Sequence, residues 1–440
     1  MLFVTMAVQA QKPITFQLAD SVSYQYYLVG DWDKLINFGN EALAQDIEFK
    51  TLYQRMGYAY FVKQKYYDAQ SKYKKALSFD KSDEGTRMML YYCGLNIGDN
   101  AATGFYADKL PKETQLKLGI NPFKIVSAVD VEYNFKKNLI TTRSNPNYYR
   151  VGIKSKLGNR LNLYQTISKY TQSLTNQVIN QVVSTKYDTT YQTVNHRPIP
   201  VITSYKDTTY ATTNKTSATT QIEYYAALNW VMSANSALEV GYHFVNTKVD
   251  TQTFPGNMFF AKLSTKIDRF QFAVNSSILT NSMDTCTQIG LSAGYTIPGS
   301  ANVYLKSAIN GLRQQSKTFV KDANGAYVYE TTGAYKYDYS TSNHIIFTQT
   351  IGAQILKPLW GEGYITLGNL KNYNDNNGLY LYNSVDATKF RTGLSLFYIF
   401  NKNISFVGNY TYDKKELINT SSTIYNYNQH SFSGGIIWKL

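Results

Sequence analysis

Apolar residues recur along this chain with two different periods, and the change falls near residue 122. From Thr51 to Lys81 they are spaced as on one face of a helix, whereas from Phe123 onward they alternate with polar residues, as in a strand with one face in water. In the first alternating run Ile125, Val129, Val131, Tyr133 and Phe135 share one face, and Lys124, Asp130, Glu132, Asn134 and Lys136 share the other. The next run, 148–157, sets Tyr149, Val151, Ile153 and Leu157 against Arg150, Lys154 and Lys156, and stops at Gly158-Asn159-Arg160. Continued to the end, the pattern predicts about fourteen strands, or twelve or sixteen if one hairpin is missed or split. Short turns near 158–160, 233–236, 268, 298–300, 357–359 and 401–402 alternate with longer connections at 172–219, 315–342, 372–387 and 414–425. The last run, Ser431 to Leu440, carries Phe432, Gly434, Ile436, Trp438 and Leu440 on one face. Soluble proteins blunt so apolar an edge with charge or proline. Nothing blunts it here, so it is expected to pair with the first strand, closing a barrel whose apolar face meets lipid.

That ending, with Phe432, Ile436, Trp438 and Leu440 in alternation, resembles the C-terminal signal of bacterial outer-membrane barrels. The resemblance implies the outer membrane of a Gram-negative bacterium, with outer-membrane lipid and the barrel assembly machinery as partners. In barrels of this class periplasmic turns are short and extracellular loops longer. If the first strand rises from the periplasm, that parity leaves the N-terminal region and the C-terminus together on the periplasmic side.

The helical period at 51–81 resembles a tetratricopeptide repeat: Tyr53, Met56, Gly57 and Tyr60 fit its first helix, and Ala69, Tyr73 and Ala76 its second. Shifting by 34 residues finds weaker copies, with Tyr26, Trp32, Leu35 and Ala42 upstream and Leu90, Gly94 and Leu110 downstream. About three stacked units is the least that makes a stable array. The resemblance implies a binding face for a periplasmic protein partner. The expected architecture is therefore α+β multidomain: a helical region over 11–122, then a transmembrane antiparallel β-barrel over 123–440. The order of parts resembles exopolysaccharide exporters and YaiO-type outer-membrane proteins, and the Tyr, Lys and Asn richness resembles Bacteroidetes proteins.

Composition narrows the function. A hydrophobic content of 43% with 40 Tyr and 22 Phe and a mean hydropathy of -0.34 do not suit a bundle of membrane helices, but suit strands that dilute an apolar face with lumen residues. Met1 to Ala10 reads as the end of a secretory signal cleaved after Ala10, and as a truncated one because its positive n-region is missing. The net charge of +14 is spread along the chain rather than gathered in one run, which argues against nucleic acid. Cys93 and Cys286 have no metal-ligand or disulfide spacing. No cofactor, metal site or catalytic motif is expected.

The inward parity collects Arg150, Lys154, Lys156, Lys262, Lys306 and Arg391, with fewer carboxylates, and predicts a modestly positive lumen that favours anionic solutes. The functional expectation is a non-enzymatic outer-membrane component that passes or helps export an anionic solute or glycan. The alternatives are a closed barrel that anchors a periplasmic scaffold, and a hydrolase built on His243 with Ser264 or Ser276, for which Glu239 or Asp130 would have to reach His243.

Overall fold

The computed structural model describes residues 13–138, 144–194, 197–299, 301–322, 326–383, 386–418 and 424–440; the expected signal remnant at Met1–Ala10 lies outside them. Among the described residues the N-terminal part forms α1 (Phe16–Val29), α2 (Trp32–Leu43), α3 (Lys50–Val62), α4 (Tyr66–Phe79), α5 (Glu84–Asn96), α6 (Asn100–Lys109) and the short α7 (Lys112–Lys117). From α1 to α6 each helix packs on the next, and α1 also touches α3. Acidic N-caps begin three of them: the side chains of Asp31, Asp83 and Asp99 accept the backbone N–H of Lys34, Thr86 and Ala102. Each satisfies a donor that a helix start leaves unpaired.

Residues singled out in the helical pattern sit where these helices meet. Tyr53, Met56, Gly57, Ala69, Tyr73 and Ala76 are buried, and Tyr60 is half-buried between two clusters. A Cβ on Gly57 would lie 3.0 Å from the Tyr73 ring, so glycine allows α3 and α4 to close on each other. Burial pushes the Cys93 thiol in this core up to about 12, the behaviour of a packed thiol rather than a reactive one.

From Phe123 the chain is built of strands: β1 (Phe123–Asn138), β2 (Asn147–Leu157), β3 (Leu161–Val194), β4 (Arg197–Val231), β5 (Ser236–Val249), β6 (Gln252–Ile267), β7 (Phe270–Asn281) and β8 (Asp284–Thr296). They continue as β9 (Tyr304–Phe319), β10 (Tyr337–Leu356), β11 (Leu359–Leu367), β12 (Asn374–Asp375), β13 (Tyr380–Leu381), β14 (Ala387–Ile399), β15 (Ile404–Ile418) and β16 (Ile424–Lys439). All but β12 and β13 form one closed antiparallel barrel of fourteen strands. β16 closes it against β1, with Val129 opposite Trp438, Val131 opposite Ile436 and Phe135 opposite Phe432.

Alternation then divides the wall. Val131, Val151, Phe272, Ile351, Phe432 and Ile436 stand outward and exposed, while Asp130, Glu132, Arg150, Glu223, Gln288 and Asn310 are turned in and buried. The connection at 172–219 is a continuation of β3 and β4, paired in register from Leu161↔Trp230 to Val194↔Arg197. The similar stretches Lys186–Tyr191 and Lys206–Tyr210 lie on the two strands of this ribbon, where Lys186 reaches Asp207 at 2.5 Å.

The helical unit docks on the short turns at one end of the barrel. Asp68 of α4 pairs with Arg269 at 2.9 Å, and Asp99, the N-cap of α6, pairs with Lys266 at 3.1 Å. Tyr67 lies between them, its ring 4.7 Å from Lys266 Nζ and 4.9 Å from the Arg269 guanidinium. Lys74 donates to Asn235 at 2.9 Å.

Candidate functional site

In the connection at 372–387, expected as an extracellular loop, the described residues do not project outward. After β11 the chain reaches Gly368, at φ 126, where a Cβ would lie 2.5 Å from the Ile345 carbonyl; only glycine permits this turn into the barrel. It then runs through the lumen as a small hairpin, β12 pairing with β13. Asn376, Asn377 and Gly378 carry positive φ at its tip, which Asn and Gly tolerate best.

An apolar footing holds the hairpin. Leu370, Tyr373 and Leu379 are buried against Met258, Phe260, Leu279, Leu312 and Ile346, which point inward from β6, β7, β9 and β10. Polar bonds surround that footing. The Tyr225 hydroxyl donates to the Asn377 carbonyl at 3.0 Å, His243 Nδ1 to the Gly378 carbonyl at 2.7 Å, and Lys262 Nζ to Asn377 Oδ1 at 3.0 Å. Asn377 Nδ2 donates in turn to Glu239 Oε2 at 2.9 Å. Gln288 and Asn374 exchange bonds, Nε2 to the Asn374 carbonyl at 3.1 Å and the Asn374 amide to Oε1 at 3.2 Å. Tyr380 accepts from Arg150 Nη1 and donates to Glu132 Oε2, both at 3.1 Å. Arg391 donates to the Tyr382 hydroxyl and grips Asp413 through two bonds of 2.6 and 2.8 Å.

The hairpin does not fill the lumen. A cavity of about 1040 Å3 remains, with Arg150, Lys154, Lys262, Lys306 and Arg391 in its lining. Lys154 Nζ stands 5.4 Å from the Tyr164 ring. Lys156 is exposed two residues further along β2, next to the Gly158 turn. Lys124 is tied to the chain end, its Nζ donating to the Leu440 carbonyl at 2.9 Å. Around the cavity seven Lys and Arg face seven Asp and Glu. The expected positive excess is therefore absent among the described lining residues. The hairpin and its exit bring in Asp375 and Asp386, which the loop reading left outside, and these even the balance.

The residues considered for hydrolysis are not brought together. Ser276 lies between the outward Val274 and Ile278, and the Ser264 hydroxyl donates to the Ala237 carbonyl at 3.3 Å. Neither suggested carboxylate is the one beside the imidazole: Glu239 is bonded to Asn377, Asp130 accepts from Tyr164 at 3.0 Å, and Glu223 stands 3.5 Å from His243 Nε2. Among the described residues no cluster of three or more His, Cys, Asp or Glu forms a metal-binding group.

No family model matches the chain, and no curated protein matches it. Similar solved structures include the translocator domain of the autotransporter NalP from Neisseria meningitidis, at 10% identity over 74% of this chain and 93% of that one, with a TM-score of 0.32. Another is Salmonella typhi OmpF in complex with daunomycin, at 10% identity over 71% and 97%, TM-score 0.33. A third is a deletion mutant of the monoaromatic hydrocarbon channel TodX, at 7% identity over 71% and 89%, TM-score 0.40. Likeness at this level carries no argument about what the lumen admits.

Proposed function

We propose that the chain is an outer-membrane protein whose barrel offers a narrow polar passage beside an inward-folded hairpin, with its helices as a periplasmic adaptor. The membrane reading is supported by the closed barrel whose outward wall is apolar, and the orientation by the helices docking on the short turns. The observation that carries the passage is the coexistence of the hairpin and the remaining 1040 Å3 of polar cavity in one lumen. Balanced charge in the lining moves the solute class from anions toward polar compounds of either sign, glycans included. No group in the lumen is read as catalytic.

The helices hold the barrel through α4, α6 and α7, where Asn159 Nδ2 donates to Gln115 Oε1 at 3.0 Å, while Tyr58 on α3 is exposed against Tyr27 and Trp32. A partner protein is expected on that aromatic face. A second reading, a closed anchor for such a partner, is favoured by the density of bonds that pins the hairpin.

The test is conductance in a planar bilayer, with the intact protein compared with one in which residues 372–383 are replaced by a short Gly-Ser link. Small steps from the intact protein and several-fold larger ones from the variant are expected. Equal conductance from a folded variant would sink the idea that the hairpin narrows the passage. Silence from both would leave the anchor reading in its place.

A further inference from the structure

A second cleft, of about 480 Å3, lies outside the lumen, where α6 meets the barrel wall at the docking end. Its wall is an apolar plate in two cross-strand rows. Leu161, Trp230 and Leu238 pair across β3, β4 and β5 in the row next to the turn, and Leu163, Leu228 and Val240 pair in the row beyond. These are outward positions, continuous with the apolar belt. Rows two residues apart are spaced by about 7 Å, so the plate offers a path for an alkyl chain running from the turn toward the middle of the belt.

The polar end of the cleft is held in place by its surroundings. Arg160 Nε donates to the Val231 carbonyl at 2.7 Å and Nη2 to the Met232 carbonyl at 2.5 Å, and the guanidinium lies 5.5 Å from the Phe105 ring centroid. That leaves Nη1, whose neighbour is Asp108 Oδ2 at 3.9 Å, beyond hydrogen-bond length. Asp108 reaches this place because α6 comes unusually near: a Cβ on Gly104 would lie 2.5 Å from the Asn159 carbonyl. One fixed guanidinium donor and one exposed carboxylate thus stand side by side at the head of an apolar slot. Trp230, half exposed, stands at the same level, where amphipathic rings favour a membrane interface.

We propose that this cleft binds one phospholipid of the periplasmic leaflet, with its phosphate on Arg160, its headgroup ammonium toward Asp108 and an acyl chain along Leu228, Leu238 and Val240. An aminophospholipid such as phosphatidylethanolamine fits both charges. A choline headgroup has no N–H to give Asp108, and a glycerol headgroup brings no cation. The lipid would fasten the helical unit to the membrane surface beside its protein contacts. The proposal rests on the membrane reading above.

The test is native mass spectrometry of the full-length protein released from nanodiscs of phosphatidylethanolamine, phosphatidylcholine or phosphatidylglycerol. One retained phosphatidylethanolamine per chain is expected, preferred about fivefold over phosphatidylcholine, the factor of the hydrogen bond that only the primary ammonium can give Asp108. Val240→Trp, on the outer wall away from Arg160, should remove the retained lipid while the barrel keeps its heat-modifiable mobility. Asp108→Ala, which leaves no side-chain acceptor, should equalise the two headgroups. Retention that is indifferent to headgroup and to Val240→Trp would mean ordinary surrounding lipid and overturn the site, as would a folded, inserted protein that retains none. Inorganic phosphate that displaces no lipid but raises the melting temperature equally in wild type and Val240→Trp would reduce the site to an anion contact and also overturn it. A protein that fails to enter nanodiscs would instead overturn the membrane reading.

Discussion

Leu52 in the helical unit and Asp413 in the barrel wall are both wholly buried, for opposite reasons. Leu52 is taken from water by other apolar groups of α1 to α3. Asp413 is turned away from the apolar exterior, and its charge is met by two bonds from Arg391. One chain thus builds a dry core where its surroundings are water, and a polar interior where its surroundings are apolar. Hydropathy at a single position does not tell which environment it meets; the period does, because it fixes which neighbours share its face.

The contrast can be broken at each end. Asp413→Ala leaves Arg391 buried without its carboxylate, and loss of one partner of such a pair is expected to cost about 3–5 kcal/mol. Urea unfolding in detergent micelles reads this, and a smaller loss in Arg391→Met/Asp413→Leu would show that the orphaned charge, not the missing bond, is responsible. Leu52→Ala should cost about 2–5 kcal/mol in the helical unit. Its counterpart on the outer wall, Ile436→Ala, should cost only about 0.5–1 kcal/mol, the scale of apolar side-chain transfer to a membrane. Equal costs would contradict the opposite solvation of the two regions.

Tyr380→Phe removes the hydroxyl bonded to Arg150 and Glu132, worth about 1.5–3 kcal/mol because both partners are charged. Its expected reading is a noisier, larger conductance from a barrel that still folds. The smallest effect concerns pH. Lys50 stands 2.8 Å from Asp80 and 2.5 Å from Asp83, and Lys50 first, then Ser82, holds the Asp80 carboxyl well below the usual carboxylate range. A carboxyl depressed in the folded state binds fewer protons than in the unfolded chain. Its contribution is present above the ordinary value of about 3.9 and is lost as pH falls through the folded value. Thermal melts of the helical signal between pH 6 and 2 should therefore steepen in the acid range, and Lys50→Ala should flatten that slope.

The barrel was legible because each strand repeats one simple instruction. Runs such as Val131, Tyr133 and Phe135 against Asp130, Glu132 and Asn134 leave little freedom in parity or closure, whereas the count stays open between twelve and sixteen until every hairpin is placed. The hairpin was hidden because Asn372, Asn374, Asn376, Asn377 and Gly378 read as a water-facing loop, and turn chemistry does not say which water. A signal was nevertheless present on other strands. Met258, Phe260, Leu279, Leu312 and Ile346 put large apolar groups on lumen positions of four strands, which an open aqueous channel would not need. An apolar patch on the wrong face of neighbouring strands marks something that covers it, here Leu370, Tyr373 and Leu379. The charge balance followed from the same omission, since Asp375 and Asp386 enter with that segment.

The ribbon formed by β3 and β4 has a mechanical side. Among the described residues, beyond Ser173 and before Ala218 the two strands pair only with each other, so a cantilever about 70 Å long stands on the rim at the usual rise per residue. A load at its tip is carried by those two strands to their root. That root bears Tyr164 and Tyr225, whose rings meet at 6.2 Å inside the barrel, and Tyr225 holds the Asn377 carbonyl of the hairpin. A pull on the tip of the ribbon would thus be delivered to the same wall that holds the hairpin in the lumen.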